Sequence, residues 1–434
     1  MISNQSRVKA SASAWAVTAV FAIVVLTQLL APYRGWRILI VGLGGALVLS
    51  WLWSLSLARG LDLRREMRFG WAQVGDRLVE RFTLRNDKWA PAVWAEVEDE
   101  STMPNYRVSR GTGVPAHDSI RWHTEAVCMQ RGLFNLGPTH LYTGDPFGLF
   151  KVEMDFPASL PLLILPPIVQ LPHIEVASGG RSGEARPRAN LMDQTVSAAS
   201  VREYAPGDSL RWVHWRTTAR LNDLYVRLFD ATPAGDWWIL LDMDRDVQIG
   251  EGQNATDEHG VILSASLADR GVRRRKAVGL IAQGEKLVWM KPEEGEGHRW
   301  EILRSLALID RGARPLADVL SRVSPSIGRS SSLIIITPST DNRWVESLVP
   351  LVRRGVIPTV LLLEPQSFGG DGEMAIVEQS LRNLDVAYYE ITRDMLDQPE
   401  AQPGRQGVWE WRVLGTGRAV AVDGQRDAMW RSLT

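Results

Sequence analysis

Hydrophobic and polar positions change their rhythm three times along the chain. From Ser13 to Ala31 the sequence SAWAVTAVFAIVVLTQLLA has no ionisable side chain, and neither does ILIVGLGGALVLSWLWSLSLA from Ile38 to Ala58. Each run is long enough to cross a bilayer as a helix and lacks the alternation of barrel strands. Joined by Pro32 to Arg37, the two predict a helical hairpin whose ends face the same side.

From Leu63 to about Pro172 the rhythm shortens to alternating runs such as RLVERFTLRN, AVWAEVEDE and LFNLGPTHLYTG, broken by Gly, Pro, Asn and Asp. That pattern predicts antiparallel strands of a small sandwich. Val176 to Ser200 has no apolar period and reads as an exposed linker. Next comes VREYAPGDSLRWVHWRTTARLNDLYVRLFD, where a Pro-Gly turn lets Asp208 or Ser209 cap a helix to about Arg220, followed by a strand from Leu224 to Phe229. Trp212, Trp215 and Ala219 share one face of that helix. From Trp237 onward the runs WWILLD, AVGLIA, SLIIIT and VLLLE alternate with helical stretches, which predicts an open, mainly parallel α/β sheet.

The fold class is therefore α/β plus β: residues 1–62 a transmembrane hairpin, 63–175 a β-sandwich-like domain, 176–200 a flexible linker, and 201–434 an α/β domain.

Composition alters this picture locally. The 434 residues carry a formal charge of -1, which excludes a chain that coats nucleic acid through its global charge. The near-zero total is a cancellation, because the first 70 residues hold 8 basic and 2 acidic side chains while the rest are net acidic. Arg7 and Lys9 precede the hairpin and Arg59, Arg64, Arg65 and Arg68 follow it, against Arg34 and Arg37 in the turn. The positive-inside bias thus puts both termini and the soluble body in the cytoplasm, on a bacterial-type plasma membrane. Trp15, Trp36, Trp51 and Trp53 fall near the two interfaces, and Gly42 with Ala46 offers a small face for helix contact. A single cysteine, Cys128, excludes a disulfide framework and a multi-thiolate zinc site, and reads as a buried inert thiol.

No Gly-Lys dipeptide, no G-x-G-x-x-G opening a helix, no H-E-x-x-H and no G-x-S-x-G occurs, so nucleotide, zinc-hydrolase and serine-hydrolase sites lack support. The densest charged set is Arg202, Glu203, Asp208, Arg211, Arg216, Arg220 and Arg227, interleaved with Trp212, Trp215 and Tyr225. It reads either as an anion or partner surface or, preferred on mixed charge, as a buried ion-pair network. His214 reads as a packing or surface residue. The strand ends carry Asp242, Asp244 and Asp246, then Thr337, Ser339, Thr340 and Asp341, oxygens that suit Mg²⁺ or Ca²⁺, with Asp242, Asp244 and Asp341 as the candidate ligands.

These residues resemble the DUF58 family, whose pattern is roughly R-E-Y-x-x-G-D-x-x-R-x-I-x-W-x-x-[ST]-A-R. Arg202, Glu203, Tyr204, Gly207, Asp208, Arg211, Trp215, Thr218, Ala219 and Arg220 carry it, with Val213 for isoleucine. Arg131 to Pro138 and Asp145 to Phe150 are similar to the family's RGxxxLGP and DPFGLF stretches. The resemblance spans nearly the whole chain. It implies a membrane-anchored protein with a β-rich domain and a von Willebrand factor A-like domain, often encoded beside MoxR-type AAA+ ATPases. The metal-ion-dependent adhesion site of such domains has Asp-x-Ser-x-Ser, where this chain has Asp242-Met243-Asp244-Arg245-Asp246.

The expected function is a non-enzymatic adaptor that binds a MoxR-type ATPase or its client, with Arg216 in the contact surface. The alternatives are an envelope hydrolase or transferase using Glu203, Asp208 and His214, and a divalent-metal-dependent binding module.

Overall fold

A computed structural model describes residues 5–67, 70–171, 174–177, 198–204, 213–221, 223–229, 235–329, 331–396, 410–413, 419–422 and 431–432. The chain divides into two compact units, Met1–Pro167 with Leu306–Leu308 and Gln398–Thr434, and Ile168–Ser305 with Ile309–Asp397.

The first unit opens with β1 (Gln5–Ala10), then α1 (Ala12–Leu30) and α2 (Arg34–Gly60). Both helices are long and apolar enough to cross a membrane. Ser11 caps α1, its hydroxyl oxygen accepting the Ala14 N–H at 3.2 Å. The turn is shorter than expected, since Arg34 already belongs to α2, where a long basic stem can lie along the helix while its charge stays in water. Gly44, rather than Gly42, faces α1: a Cβ there would stand 3.1 Å from the Phe21 ring, whereas Gly42 has nothing within 4 Å.

The sandwich strands are β2 (Leu61–Met67), β3 (Trp71–Gln73), β4 (Arg77–Asn86), β5 (Ala92–Asp99), β6 (Arg110–Val114) and β7 (Asp118–Val127). They continue as β8 (Gly132–Leu136), β9 (Thr139–Gly144), β10 (Phe150–Phe156) and β11 (Leu160–Leu165). One sheet runs β1-β10-β9-β5-β6, and a second centres on β2-β4-β7. β4 buries every second residue, and Phe82 and Leu84 meet Val97, Leu141 and Val152 of the other sheet in one core. Phe82 stacks on Trp122 with centroids 5.4 Å apart. The short β3-β11-β8 sheet completes the unit.

The sequence reading missed β1. Its six residues pair antiparallel with β10, Ala10 opposite Phe150, so the segment before the hairpin and a strand far beyond it share one sheet. Helix α2 also joins the sandwich: its last turns pack on β10 and β1, where the small side chains Ser50, Ser54 and Ala58 are buried one turn apart, and Leu57 lies in the sandwich core.

Inside the sandwich lies a buried charge cluster. Arg65 forks onto Glu80 at 2.9 and 2.7 Å and reaches Asp99 at 2.7 Å. The Tyr106 hydroxyl also donates to Glu80. Burial pushes the Glu80 carboxyl up, with the Arg65 guanidinium opposing the shift.

In the second unit, β12 (Ala198–Glu203) and β13 (Tyr225–Phe229) form an antiparallel ribbon with α3 (Trp215–Leu221) between them. The expected linker therefore ends by Ala198, where β12 begins; residues 178–197 lie outside the described set. The main sheet comprises β14 (Trp237–Leu241), β15 (Val278–Gln283), β16 (Leu287–Glu293), β17 (Ser332–Thr337), β18 (Ile357–Leu363) and β19 (Ala387–Ile391). Its order is β16-β15-β14-β17-β18-β19, all parallel except the antiparallel edge β16. Every residue of β14, β15 and β17 is buried, as expected for strands covered on both faces, which explains their unbroken apolar runs. Helix α4 (Thr256–Arg273) packs on β14 through Gly260, where a Cβ would come 2.7 Å from Leu241. The first unit also holds β20 (Glu410–Val413) and β21 (Ala419–Val422), which pair with each other, and β22 (Arg431–Ser432), which pairs with β2.

Candidate functional site

Two places in the second unit gather the expected site residues. The first is the carboxyl edge of the sheet, where strand order reverses: β14 leads through α4 to β15 on one side, and β17 adds on the other. Such a switch point opens a crevice beyond the strand ends. Asp242 follows β14 there, and its Oδ2 accepts the Thr337 hydroxyl at 2.6 Å while Oδ1 accepts the Asp244 N–H at 3.1 Å. Burial pushes the Asp242 carboxyl up to about 6 against the pull of those two donors.

The other expected cation ligands are engaged separately. Asp244 accepts the Asp246 N–H at 3.3 Å and its backbone bridges Gly312. Asp341 is paired with Arg343, whose Nε lies 2.7 Å from Oδ2 and whose N–H lies 3.0 Å from Oδ1, and this hold keeps the carboxyl below its ordinary value. Among the described residues no group of three or more His, Cys, Asp and Glu side chains is placed to hold a metal ion.

Sequence reasoning missed the fork next to this edge. Arg311 grips Asp257, in the first turn of α4, through two bonds of 2.9 and 2.8 Å, and donates to Gly250 O at 3.1 Å. Arg311 and Asp257 stand 54 positions apart, so no local spacing announces the pair.

The second place is the charged signature. Val213 and Val226 are buried and bridge each other, His214 N–H donates to Tyr225 O at 2.7 Å, and Tyr204 N–H donates to Leu224 O at 2.7 Å. The helix therefore starts at Trp215, later than the expected cap at Asp208 or Ser209, because Val213 and His214 are held in extended pairing with β13. His214 itself serves the start of the helix, Nδ1 accepting the Thr217 N–H at 3.2 Å. At the far end the Thr218 hydroxyl oxygen accepts the Tyr225 N–H at 3.1 Å.

Helix α3 buries no residue. Trp215 is 67% exposed, and Arg216, Arg220, Leu221 and Leu224 are exposed around it. Arg216 and Arg220 are thus on the surface, away from the buried ion-pair network favoured from sequence, since a seven-residue helix lying on a two-stranded ribbon has little to bury them against. Glu203 is exposed and Tyr204 half-buried, and the Arg202 backbone runs in β12. Gly207, Asp208, Arg211 and Trp212 lie outside the described residues.

Residues 200–374 match the family model "Protein of unknown function DUF58". This segment is thus similar to DUF58 proteins. It holds both places just described, from the β12 ribbon to the strand ends after β17. The chain is 22% identical over 346 residues to the protein YeaD of Bacillus subtilis (strain 168), covering 76% of this chain and 83% of YeaD. It is 25% identical over 173 residues to Rv1480 of Mycobacterium tuberculosis, covering 38% and 54%. Among solved structures, similarity extends to an aerotolerance-related membrane protein from Bacteroides fragilis NCTC 9343, at 15% identity and TM-score 0.28 over 36% of this chain and 91% of that one. The SpRpn10 VWA domain matches at 12% identity and TM-score 0.28 over 40% and 98%. At such scores the likeness adds nothing to the fold read from strand order.

Proposed function

We propose that this protein is a membrane-anchored, non-enzymatic adaptor whose DUF58-like region binds a protein partner through the exposed face of α3. The observation that carries this reading is Trp215, a large apolar ring left in solvent beside Arg216, Arg220, Leu221 and Leu224. Trp and Arg are the residue types that dominate protein interfaces, since each offers a large contact area with few torsions or a rigid set of donors. The hairpin would hold this surface at the cytoplasmic face of the membrane, and the resemblance to DUF58 proteins nominates a MoxR-type AAA+ ATPase or its client.

The test is co-purification from detergent-solubilised membranes with the tagged full chain, followed by identification of bound proteins. Recovery of the ATPase with the native chain and its loss on Trp215→Ala or Arg216→Ala supports the adaptor. No ATPase with the native chain, or equal recovery with both variants, overturns it.

A further inference from the structure

The end of the sandwich next to the hairpin carries a set of exposed apolar side chains. The Ser11 hydroxyl donates to Gly148 O at 2.8 Å and the Ser11 N–H to Leu149 O at 2.9 Å, so the β9–β10 turn sits at the root of α1. Within that turn Asp145 is buried and accepts the N–H groups of Phe147 at 2.9 Å and Phe150 at 2.6 Å. The turn is thereby fixed, and the Phe147 ring is left 64% exposed.

Strand β5 begins at the same end, because Ala95 pairs with Thr143 and the Trp94 ring lies against Gly144. The loop before β5 runs along α2. Trp53 Nε1 donates to Pro91 O at 3.1 Å, and the Trp53 ring meets Trp89 edge-on at 5.4 Å, with Trp89 itself 50% exposed.

The start of β5 is shaped to turn two apolar side chains outward. Ala92 pairs with Val114 and Ala95 with Thr112, so Val93 and Trp94 together oppose Gly113 in a bulge. A bulge breaks the two-residue alternation, and both side chains are exposed, Val93 at 60%. A Cβ at Gly113 would stand 2.8 Å from Val93 O, so the bulge needs glycine opposite. Further along the same strand the exposed positions become acidic, at Glu96 and Glu98.

The helices supply the matching level. With Phe21 against Gly44 in an antiparallel pair, Trp15 falls near Trp51, and both rings are exposed. Through the Trp53–Trp89 contact the apolar side chains of the helices adjoin those exposed on the sandwich.

We propose that Trp89, Val93, Trp94 and Phe147 insert into the interfacial layer of the bilayer that hosts α1 and α2, so that the sandwich is seated on the lipid surface. Indole rings and short apolar loops are stable at the headgroup boundary, and an apolar patch adjoining a lipid-facing helix pair meets the same solvent as the helices. The inference rests on the membrane reading of the hairpin.

The test uses the full chain in vesicles of phosphatidylcholine and phosphatidylglycerol, with an environment-sensitive fluorophore on Val93→Cys, Phe147→Cys, Glu100→Cys or Val41→Cys. Cys128 is buried and its thiol is pushed up to about 12 by that burial, so it stays unlabelled. The expected result is loss of emission at positions 93 and 147 with a lipid-borne doxyl quencher, while position 100, beyond the far end of β5, is quenched only by aqueous iodide. If position 41 responds to the lipid quencher but 93 and 147 respond only to iodide, the seating is overturned and the hairpin stands. If position 41 also responds only to iodide, the membrane reading fails and the seating with it. Shielding of 93 and 147 from both quenchers overturns the proposal in favour of a protein that covers the patch.

Discussion

The Thr337 hydroxyl donates to Asp242 Oδ2 at 2.6 Å, tying the ends of β14 and β17 where the strand order reverses. With its carboxyl raised from 3.8 to about 6 by burial, Asp242 binds a proton more tightly in the fold than in the unfolded chain. Stability contributed by this group is greatest below pH 4, falls as pH rises through the window from 4 to 6, and is lowest above it. The difference is about 3 kcal/mol at about 1.4 kcal/mol per unit. Asp242→Asn, which is neutral throughout, should flatten that slope and raise stability at pH 8 relative to the native chain. Denaturant titrations of the two proteins from pH 4 to 8 check this, and parallel pH profiles would refute it.

Arg65 is the only cation that the described hydrogen bonds bring to Glu80 and Asp99, and Asp99 Oδ2 is buried with no hydrogen-bond partner. Arg65→Met should cost about 3–5 kcal/mol, because it strands two buried carboxylates. Glu80→Gln should cost less, since the guanidinium keeps Asp99. Unfolding midpoints of the two variants give the order, and an equal or reversed order would count against the cluster as described.

At Gly312 a Cβ would meet Gly284 O at 2.5 Å and Gly284 C at 2.7 Å, both backbone atoms that cannot swing aside. Gly312→Ala should destabilise by about 1–3 kcal/mol and loosen the Asp244 bridge. Hydrogen exchange at Gly312 and Arg245, whose N–H groups bond Met243 O and Gly312 O, reads the loosening directly.

Trp215→Ala should leave stability within about 0.5 kcal/mol of the native value, as for a surface side chain with no buried contact to lose. A thermal melt unchanged beside a lost partner separates recognition from unfolding. A large drop in midpoint would instead mean that the ring supports the fold.

The two apolar runs and the strands from Trp237 onward were legible because each is apolar at nearly every position, which leaves an uninterrupted signal. β1 was not, since six residues of QSRVKA alternate too briefly to stand out beside a long apolar run, and their partner lies in β10. At β5 the alternation of AVWAEVED was readable, but the bulge that turns both Val93 and Trp94 outward depends on Gly113 in the next strand. The charged signature was located by its density, yet whether Arg216 and Arg220 are buried was decided by how little structure α3 rests on. Asp242 could be seen at a strand end; its contact with Thr337 required the sheet order.

The pairing of β1 with β10 also sets an order of events during synthesis. Phe150 is translated 140 residues after Ala10, its partner. At elongation rates of roughly 5–20 residues per second, β1 waits on the order of ten seconds for its neighbour. Over that interval α1 and α2 have already been made, so the helical hairpin precedes the sheet that β1 will join.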